Sequence, residues 1–370
     1  MSNKPFISFV VPCFNVEDYV GHTISSILNQ SQTAVNGFDS PFEIILVNDG
    51  STDGTLDLLR SYEAKYPCIS IVTKENGGLS SARNAGIPLA RGKYISCLDS
   101  DDWIASSFIE ELVKNDARQS FDMALTNALV YDQVKQDYYP FYDDWLFNEL
   151  CPRDSVRMLA PRTTLNAFLL EPNTSRRIFR TDFVRLIGMK YPEGVLYEDF
   201  PVHFSTFMLA GSVLLINKPL YYYRVGRSGK LTERNDDRRY DILKVFAMAA
   251  RDLNEYGAGP EVGIVFLRAA SRAIGWCLGS VPSRMARSFD IATREFFGTV
   301  PKPWLASFFS SKSVGNAEKF RIFSMTKGFY SRYLSRSREK RYAINVALNH
   351  LVSKDLPKFF AGLVKAISVK

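Results

Sequence analysis

Leu98-Asp99-Ser100-Asp101-Asp102-Trp103 places three carboxylates within four positions. The preceding residues, 93–98, have the pattern of a short buried strand. Like charges this close together are unfavourable unless a cation lies between them. A hard divalent cation suits them, because one or two carboxylates can hold it while substrate phosphates complete its coordination. The stretch therefore indicates a nucleoside-diphosphate site, against the alternative that Asp102 is the N-cap of the next helix.

Alternating strand and helix patterns surround this stretch. Apolar runs predict strands over residues 6–12, 42–47, 69–72 and 94–98, and helical spacing predicts helices over residues 16–28, 55–66 and 79–89. The second strand is apolar almost throughout, as expected when both faces of a parallel sheet are covered. The alternation predicts an α/β domain with a mainly parallel sheet.

Polar loops follow the predicted strands. Asn15, Asp49, the Asn76-Gly77-Gly78 loop and Asp99 all lie at or just beyond strand C-termini. Ligands of open α/β sheets bind at this edge. Four polar loops at one edge favour a binding site over separate turns and caps.

The composition is that of a globular protein of 370 residues, long enough for two domains. Its five cysteines form no Cys-x-x-Cys pair, which predicts free thiols in a reducing cytoplasm. The longest apolar run, residues 204–216, is too short to span a bilayer. The N-terminus has no signal-peptide pattern, so we expect a cytoplasmic protein.

Basic residues are concentrated at the C-terminal end, where residues 300–370 contain 14 Lys or Arg and three acids. From about residue 241 the pattern changes to long helices. Apolar stripes between residues 344 and 367 favour packing against the rest of the protein. The alternative is a peripheral contact of residues 336–370 with an anionic membrane on its inner face. We expect no nucleic-acid partner, because no recognised binding motif is present.

Four motifs carry a family resemblance. In chain order they are Val11-Pro12-Cys13-Phe14-Asn15, Val47-Asn48-Asp49-Gly50-Ser51-Thr52-Asp53-Gly54, Asn76-Gly77-Gly78-Leu79-Ser80-Ser81-Ala82-Arg83-Asn84 and Leu98-Asp99-Ser100-Asp101-Asp102. Their order and spacing resemble the inverting glycosyltransferases of family two, a type found in bacterial cell-surface glycan biosynthesis. The resemblance runs from about residue 5 to residue 232. It implies a GT-A fold, with a Rossmann-like α/β domain over residues 1–235 and a mostly α-helical C-terminal region over residues 236–370.

The resemblance implies that the first loops hold the nucleotide. Asp49 would accept a hydrogen bond from the base, most often uracil, while Pro12 and Asn15 shape its slot. Arg83 would lie near the uracil or the diphosphate, where a planar guanidinium suits phosphate oxygens. Asp99 would face the ribose and the sugar.

The same resemblance implies that Asp101 binds Mn²⁺ or Mg²⁺ bridging the two phosphates. Three acids in four positions leave Asp102 as a second candidate ligand. Further along, Tyr221-Tyr222-Tyr223-Arg224 and Arg227 resemble the segment that closes the family's site. Either arginine would fold back onto the diphosphate, and a basic surface loop is an equal alternative.

The family also has an acidic pair before a helix, and Tyr197-Glu198-Asp199-Phe200-Pro201 resembles it. The resemblance implies that Asp199 is the general base that deprotonates the acceptor hydroxyl. Without the family, this stretch is an ordinary acidic helix start with proline in the first turn.

The resemblance implies a metal-dependent, inverting transfer of a hexosyl or N-acetylhexosaminyl group. The donor would be a nucleoside-diphosphate sugar, by family resemblance a UDP-sugar, and the acceptor a hydroxyl of a glycan or polyprenyl-linked molecule. The Gln-x-x-Arg-Trp motif of processive polymerases is not in the sequence, which favours a non-processive enzyme. Residues 236–370 are expected to make acceptor, homo-oligomer or membrane contacts.

Three rival functions remain at this point. A phosphotransferase of the haloacid dehalogenase type is disfavoured by Trp103, where that class has Thr or Val. A sugar-nucleotide pyrophosphorylase is disfavoured because no Gly-rich loop follows the first strand. A catalytically silent glycan-binding or scaffolding protein on a transferase fold is the alternative that the sequence leaves open.

Overall fold

The computed structural model describes residues 4–30, 40–227, 236–328, 330 and 331. The chain divides into two compact units. The first consists of Met1–Gly194 and Leu209–Gly229, and the second of Val195–Met208 and Lys230–Lys370. Packing thus groups residues 195–208 with the second unit, whereas the sequence-based division at residue 235 stays a prediction. The predicted membrane segment, residues 336–370, lies outside the described residues.

The first unit is built on a ten-stranded sheet. In chain order its strands are β1 (Pro5–Cys13), β2 (Ser40–Asn48), β3 (Ile69–Thr73), β4 (Tyr94–Cys97), β5 (Trp103–Ile104), β6 (Met123–Asp132), β7 (Asp137–Pro140), β8 (Val156–Leu159), β9 (Arg177–Arg180) and β10 (Val213–Val225).

The sheet order is β3-β2-β1-β4-β9-β6-β10-β5, with β7 paired to β6 and β8 paired to β10. Strands β3, β2, β1 and β4 run parallel to one another, and so do β6 and β10. The antiparallel strand β9 joins these two parallel groups. The predicted α/β domain with a mainly parallel sheet is confirmed.

The α-helices in the described residues of the first unit are α1 (Val20–Leu28), α2 (Thr55–Lys65), α3 (Leu79–Gly86), α4 (Phe108–Asp116), α5 (Asp144–Leu150) and α6 (Thr181–Ile187). Every residue of β1 is buried, as expected of a central parallel strand covered on both faces. Its apolar side chains join those of β2, α1 and α4 in the main core.

The second unit is helical in its described part. Its helices are α7 (Asp199–Leu209), α8 (Asp241–Glu255), α9 (Pro260–Ser280), α10 (Ala286–Thr299), α11 (Lys302–Ser310) and α12 (Asn316–Thr326). The sequence 257–260 separates α8 from α9, as the breaker at that position predicts. The predicted mostly helical C-terminal region is confirmed for these residues.

Aromatic rings form the core of the second unit. Phe246 packs against Phe200 of α7 and Phe266 of α9, at centroid distances of 4.6 and 5.6 Å. Phe266 contacts Trp304 of α11 at 5.6 Å. Gly263 allows α11 this close, because a Cβ atom there would lie 2.2 Å from the Trp304 ring.

Within the described ranges, α9 is the one helix long and apolar enough to cross a membrane by length and composition. Of its apolar stretch, 56% is buried inside the structure. Core helices of soluble proteins meet the same criteria, so this is weak evidence for a membrane span.

Candidate functional site

The carboxyl ends of β3, β2, β1 and β4 meet at one edge of the first unit's sheet. Asn15 lies two residues after β1, Asp49 directly after β2, and Asp99 two residues after β4. The structure therefore gathers these three predicted residues at the edge where open α/β sheets bind ligands. Pro12 lies inside β1, where it is buried and paired with Val47 of β2.

Asp49 is buried, and its carboxylate accepts three hydrogen bonds. Lys74 Nζ donates at 2.7 Å, and the backbone N–H groups of Gly77 and Gly78 donate at 3.0 and 2.8 Å. The Asn76 side chain also donates to the Asp49 carbonyl at 3.0 Å. A carboxylate has about four acceptor positions, so the same group can also accept a donor from a ligand.

Sequence reasoning missed Lys74. The signal was available, since this lysine directly follows β3 and therefore lies at the same edge as Asp49.

The turn after Asp49 is also more constrained than its sequence shows. Gly50 has φ +72°, and a Cβ there would lie 2.8 Å from the backbone nitrogen of Asn76. The loop after β3 thus packs directly against the loop after β2.

Asn15 ties the loop after β1 to the loop after β2. Its φ of 51° lies in the left-handed region, which asparagine tolerates better than most residues. The Asn15 side-chain oxygen accepts a hydrogen bond from the Thr52 backbone N–H at 2.8 Å. The backbone N–H of Asn15 donates to the Ser51 hydroxyl at 3.2 Å. Its side chain therefore has a structural role in this loop pair.

Arg83 and Asp99 form an ion pair in which the arginine is buried and the Asp99 side chain is 25% exposed. The Arg83 guanidinium, on α3, is 1% exposed and donates to the Asp99 carboxylate at 2.7 Å. Its other contacts include the Tyr191 ring, 5.0 Å away. The Asp99 backbone N–H donates to the Ser175 hydroxyl at 3.1 Å. These contacts bring the predicted phosphate-side arginine and the predicted ribose-side acid together.

Asp102 is the most deeply buried acid of the acid loop (residues 99–102), at 1% exposure. Its carboxylate accepts hydrogen bonds from the Tyr221 hydroxyl and, at 2.8 Å, from the Arg224 backbone N–H. Burial raises the pKa of Asp102, and the negative charges of Asp101 and Asp99 add to this. The N-cap alternative is wrong, because β5 follows Asp102 and the next helix, α4, has Ser107 as its N-cap.

Asp101 pairs with a cation. Its carboxylate accepts a hydrogen bond from Arg227 Nε in an ion pair. The Arg227 guanidinium also lies over the Tyr19 ring, 5.4 Å from its centre. One of the two predicted diphosphate arginines, Arg227, thus contacts an acid-loop carboxylate through its side chain.

The Arg224 side chain is hydrogen-bonded to the backbone of the acid loop. Its Nε donates to the Asp101 backbone carbonyl at 2.7 Å, and its guanidinium lies 4.8 Å from the Trp103 ring centre. A further guanidinium nitrogen lies 3.0 Å from His22 Nδ1. The side chain is buried among these groups, so its geometry is that of a positioning residue rather than a surface loop.

Asp199 belongs to the second unit, as the first residue of α7. The residue two positions before it, Tyr197, has φ +65°, a left-handed conformation that is uncommon for a large side chain. The Tyr197 hydroxyl accepts a hydrogen bond from Arg239 at 2.9 Å, and the Leu196 N–H donates to Asp241 at 3.1 Å. Strained backbone of this kind is concentrated at functional sites.

The fit of a divalent cation rests on Asp101. Among the described residues, no group of three or more His, Cys, Asp or Glu side chains is arranged as a protein-only metal site. A cation that bridges phosphates needs only one or two carboxylates. The Asp101 carboxylate already faces a cation, Arg227, so its surroundings suit positive charge. The burial of Asp102 favours Asp101 over Asp102 as the ligand.

Comparison with known proteins is consistent with this geometry. Residues 8–180 match the family described as glycosyl transferase family 2. The match covers slightly less than half of the chain, and in this part the chain resembles a glycosyltransferase family 2 domain. The match contains the predicted nucleotide-binding and metal-binding residues as far as Asp102, and it ends before Asp199, Arg224 and Arg227.

Two relatives come from Streptococcus pneumoniae. Glycosyltransferase GlyG is 29% identical over 268 residues, which are 71% of this chain and 84% of GlyG. Glycosyltransferase GlyA is 29% identical over 228 residues, 61% of this chain. The matched part is 31% of GlyA's own length, so GlyA contains much that this chain does not match.

Among solved structures, Staphylococcus aureus TarS 1-349 in complex with UDP-GlcNAc is similar with a TM-score of 0.69. The similarity covers 88% of both chains at 20% sequence identity. This likeness concerns the fold, and with the family match it confirms the predicted GT-A architecture followed by a helical region.

Proposed function

We propose that the chain is a metal-dependent, inverting glycosyltransferase that uses a nucleoside-diphosphate sugar. The proposal is based on two ion pairs at one sheet edge, which join Arg83 to Asp99 and Arg227 to Asp101. In glycosyl transfer the departing diphosphate gathers negative charge. Cationic groups fixed where that charge develops lower the barrier.

The donor side follows from the loop contacts. Asp49 is held by Lys74 and two backbone N–H groups, and we propose that it accepts the base N–H. Arg83 and Arg227 then contact the diphosphate, and Asp99 the ribose and sugar. The family match and the UDP-GlcNAc complex of TarS support a UDP-sugar. The group transferred is then a hexosyl or N-acetylhexosaminyl unit.

We propose Asp101 as the metal ligand, with Mn²⁺ or Mg²⁺ as the ion. When bound, such an ion neutralises the charge of the leaving diphosphate. The Asp101 carboxylate would hold the ion, and Arg227, which lies beside it, would offer its guanidinium to phosphate oxygens. Thorough chelation is expected to abolish transfer, and added Mn²⁺ to restore it. Transfer that persists after chelation would show that the ion is dispensable.

For the acceptor side we propose Asp199 as the general base. It deprotonates a hydroxyl of a glycan or polyprenyl-linked acceptor while the new bond forms, on the face opposite the leaving group. Asp199→Asn is expected to retain donor binding and to lose transfer by a factor of about 10²–10⁴. Transfer at nearly the normal rate would remove Asp199 from the mechanism.

Donor hydrolysis tests the proposal as a whole. Purified full-length protein is incubated with Mn²⁺ and a panel of UDP- and GDP-sugars, and release of the nucleoside diphosphate is measured. Release from one or a few donors is the expected result. A catalytically silent glycan-binding or scaffolding protein would bind without releasing nucleotide, and that outcome would overturn the proposal.

The location and assembly of the protein are part of the same proposal. A cytoplasmic enzyme, peripheral on the inner face of the membrane, would reach a polyprenyl-linked acceptor there. The basic segment 336–370 is proposed as the membrane contact. Liposome flotation with and without that segment tests the membrane contact, and light scattering of the full chain tests for a homo-oligomer.

A further inference from the structure

Exposed aromatic side chains gather at the hairpin formed by β6 and β7. Tyr138 and Tyr139 lie on β7 and Tyr142 follows it, with 48, 37 and 55% of their surfaces exposed. Exposed aromatic residues on soluble proteins are usually scattered singly, and contiguous groups of them mark binding sites. The position of this group relative to the acid loop therefore bears on function.

The strand register separates the tyrosines onto two faces of the sheet. Tyr223 of β10 is level with Val130 of β6, which is level with Tyr139 of β7. Arg224, Tyr131 and Tyr138 form the next level. Successive side chains of a strand point to opposite faces, so Tyr139 shares a face with Tyr223, and Tyr138 lies on the other.

Tyr142 joins the face that carries Tyr223. Its ring centre lies 6.3 Å from that of Tyr223, with 74° between the planes, and its side chain is hydrogen-bonded with Tyr139. We call Tyr139, Tyr142 and Tyr223 the tyrosine row. Tyr223 lies on β10, Tyr139 on β7 and Tyr142 just after β7, and the last two are at the surface.

The tyrosine row begins at the acid loop. Tyr223 lies in β10 between Tyr221 and Arg224, which both donate hydrogen bonds to the Asp102 carboxylate. Burial raises the pKa of Tyr223, and the negative charge of Asp102 adds to this. The exposed rings are therefore continuous with the proposed donor site.

The chemistry of the row suits a neutral sugar. A tyrosine ring offers an apolar face for the C–H bonds of a sugar ring, and its hydroxyl exchanges hydrogen bonds with sugar hydroxyls. Burial, the neighbouring Tyr139 and the charge of Glu171 together raise the pKa of Tyr142 to about 12. The negative charge of Glu171 beside the row disfavours an anionic lipid headgroup there.

We propose that the tyrosine row is an acceptor subsite, in which Tyr139 and Tyr142 stack against a saccharide unit of the acceptor glycan. This inference rests on the proposed function, because it supplies the second substrate of the same reaction. A sugar lying on the row extends away from the acid loop, and its reacting end points toward the donor.

Ligand-observed saturation-transfer NMR tests this with maltotetraose, cellotetraose and chitotetraose as probes. The full-length protein is compared with Tyr142→Ala, Tyr139→Ala and the matched control Tyr138→Ala, which removes a ring from the opposite face of the same strand. Truncating an aromatic anchor is expected to weaken binding by about tenfold or more. Tyr138→Ala should bind like the wild type, and thermal melts confirm that each variant folds.

The outcomes separate the subsite from the proposed function. Wild-type protein that releases no nucleoside diphosphate from any donor overturns the proposed function. If the wild-type protein does release nucleotide, any one of three results overturns the subsite. These are that no tetrasaccharide binds, that Tyr142→Ala leaves binding unchanged, or that Tyr138→Ala weakens binding as much as Tyr142→Ala does. Flotation with phosphatidylglycerol vesicles that depends on Tyr142 would instead make the row a lipid contact.

Discussion

Asp49 and Asp102 are both buried carboxylates that follow strands of one sheet, and they differ in where their partners come from. Asp49 is bound by Lys74, Gly77 and Gly78, which lie 25 to 29 residues further along the chain. Asp102 is bound by Tyr221 and Arg224, 119 and 122 residues away.

This difference separates a locally closed loop from one that depends on the whole sheet. The loop around Asp49 needs only β2 and β3 to pair, and two of its three donors are backbone N–H groups. The acid loop reaches its geometry only when β10 lies beside β5 and β6. Substitutions in the acid loop should therefore disturb function and stability more than equivalent ones near Asp49.

Among substitutions that compare the acid loop with the loop around Asp49, Asp101→Asn is expected to have the largest effect. It removes the carboxylate that pairs with Arg227, and with it the proposed metal ligand. Transfer should fall by about 10²–10³, the loss typical when one electrostatic group at a transition state is removed. Mn²⁺ binding in the presence of UDP, measured by electron paramagnetic resonance, should weaken in parallel.

The matched control for this variant is Asp57→Asn, which makes the same chemical change at a side chain that is 87% exposed. It should leave both measurements unchanged. Normal Mn²⁺ binding by Asp101→Asn would assign the ion to another acid.

Tyr221→Phe probes the distant partners of Asp102. It removes one hydrogen-bond donor from a buried carboxylate and leaves the other, the Arg224 N–H. Losing one partner of a buried polar group costs about 1–3 kcal/mol of unfolding free energy. Urea denaturation measures this, with Tyr256→Phe on the second unit's surface as a control expected within about 0.5 kcal/mol of wild type.

Asp49 and Asp102 also show which parts of the fold and of the site could be predicted from the sequence. The strands β1 to β4 and the polar residues at their ends follow from apolar runs and turn residues, which are local signals. The carboxylates of Asp49 and Asp99 were expected at this edge for the same reason. The helical character of residues 241–326 was equally visible in their spacing.

The pairing of side chains across the sheet could not be predicted. Nothing near Asp102 in the sequence shows that Tyr221 will bind it, because that contact depends on the order of strands. The same holds for the division of labour between Arg224, which supports the acid loop, and Arg227, which faces Asp101.

Lys74→Gln tests the locally closed loop. The Asp49 carboxylate keeps the N–H groups of Gly77 and Gly78 in this variant. Lys74 is 25% exposed in its ion pair with Asp49, and partly exposed pairs contribute little. We expect a loss of about 1 kcal/mol in urea denaturation, less than for Tyr221→Phe. An equal or greater loss would contradict the contrast between the two loops.

Asn15→Gly should have the smallest effect. Glycine adopts the left-handed φ of this position without a steric cost, and water can replace the exposed Asn15 side chain at the Thr52 N–H. The two changes offset each other, so stability should stay within about 0.5 kcal/mol of wild type. Asn15→Ala loses the same hydrogen bond and keeps the unfavourable φ, so it should unfold more easily than Asn15→Gly by about 0.5–1 kcal/mol. Equal stabilities in urea denaturation would show that the backbone at residue 15 changes conformation in the alanine variant.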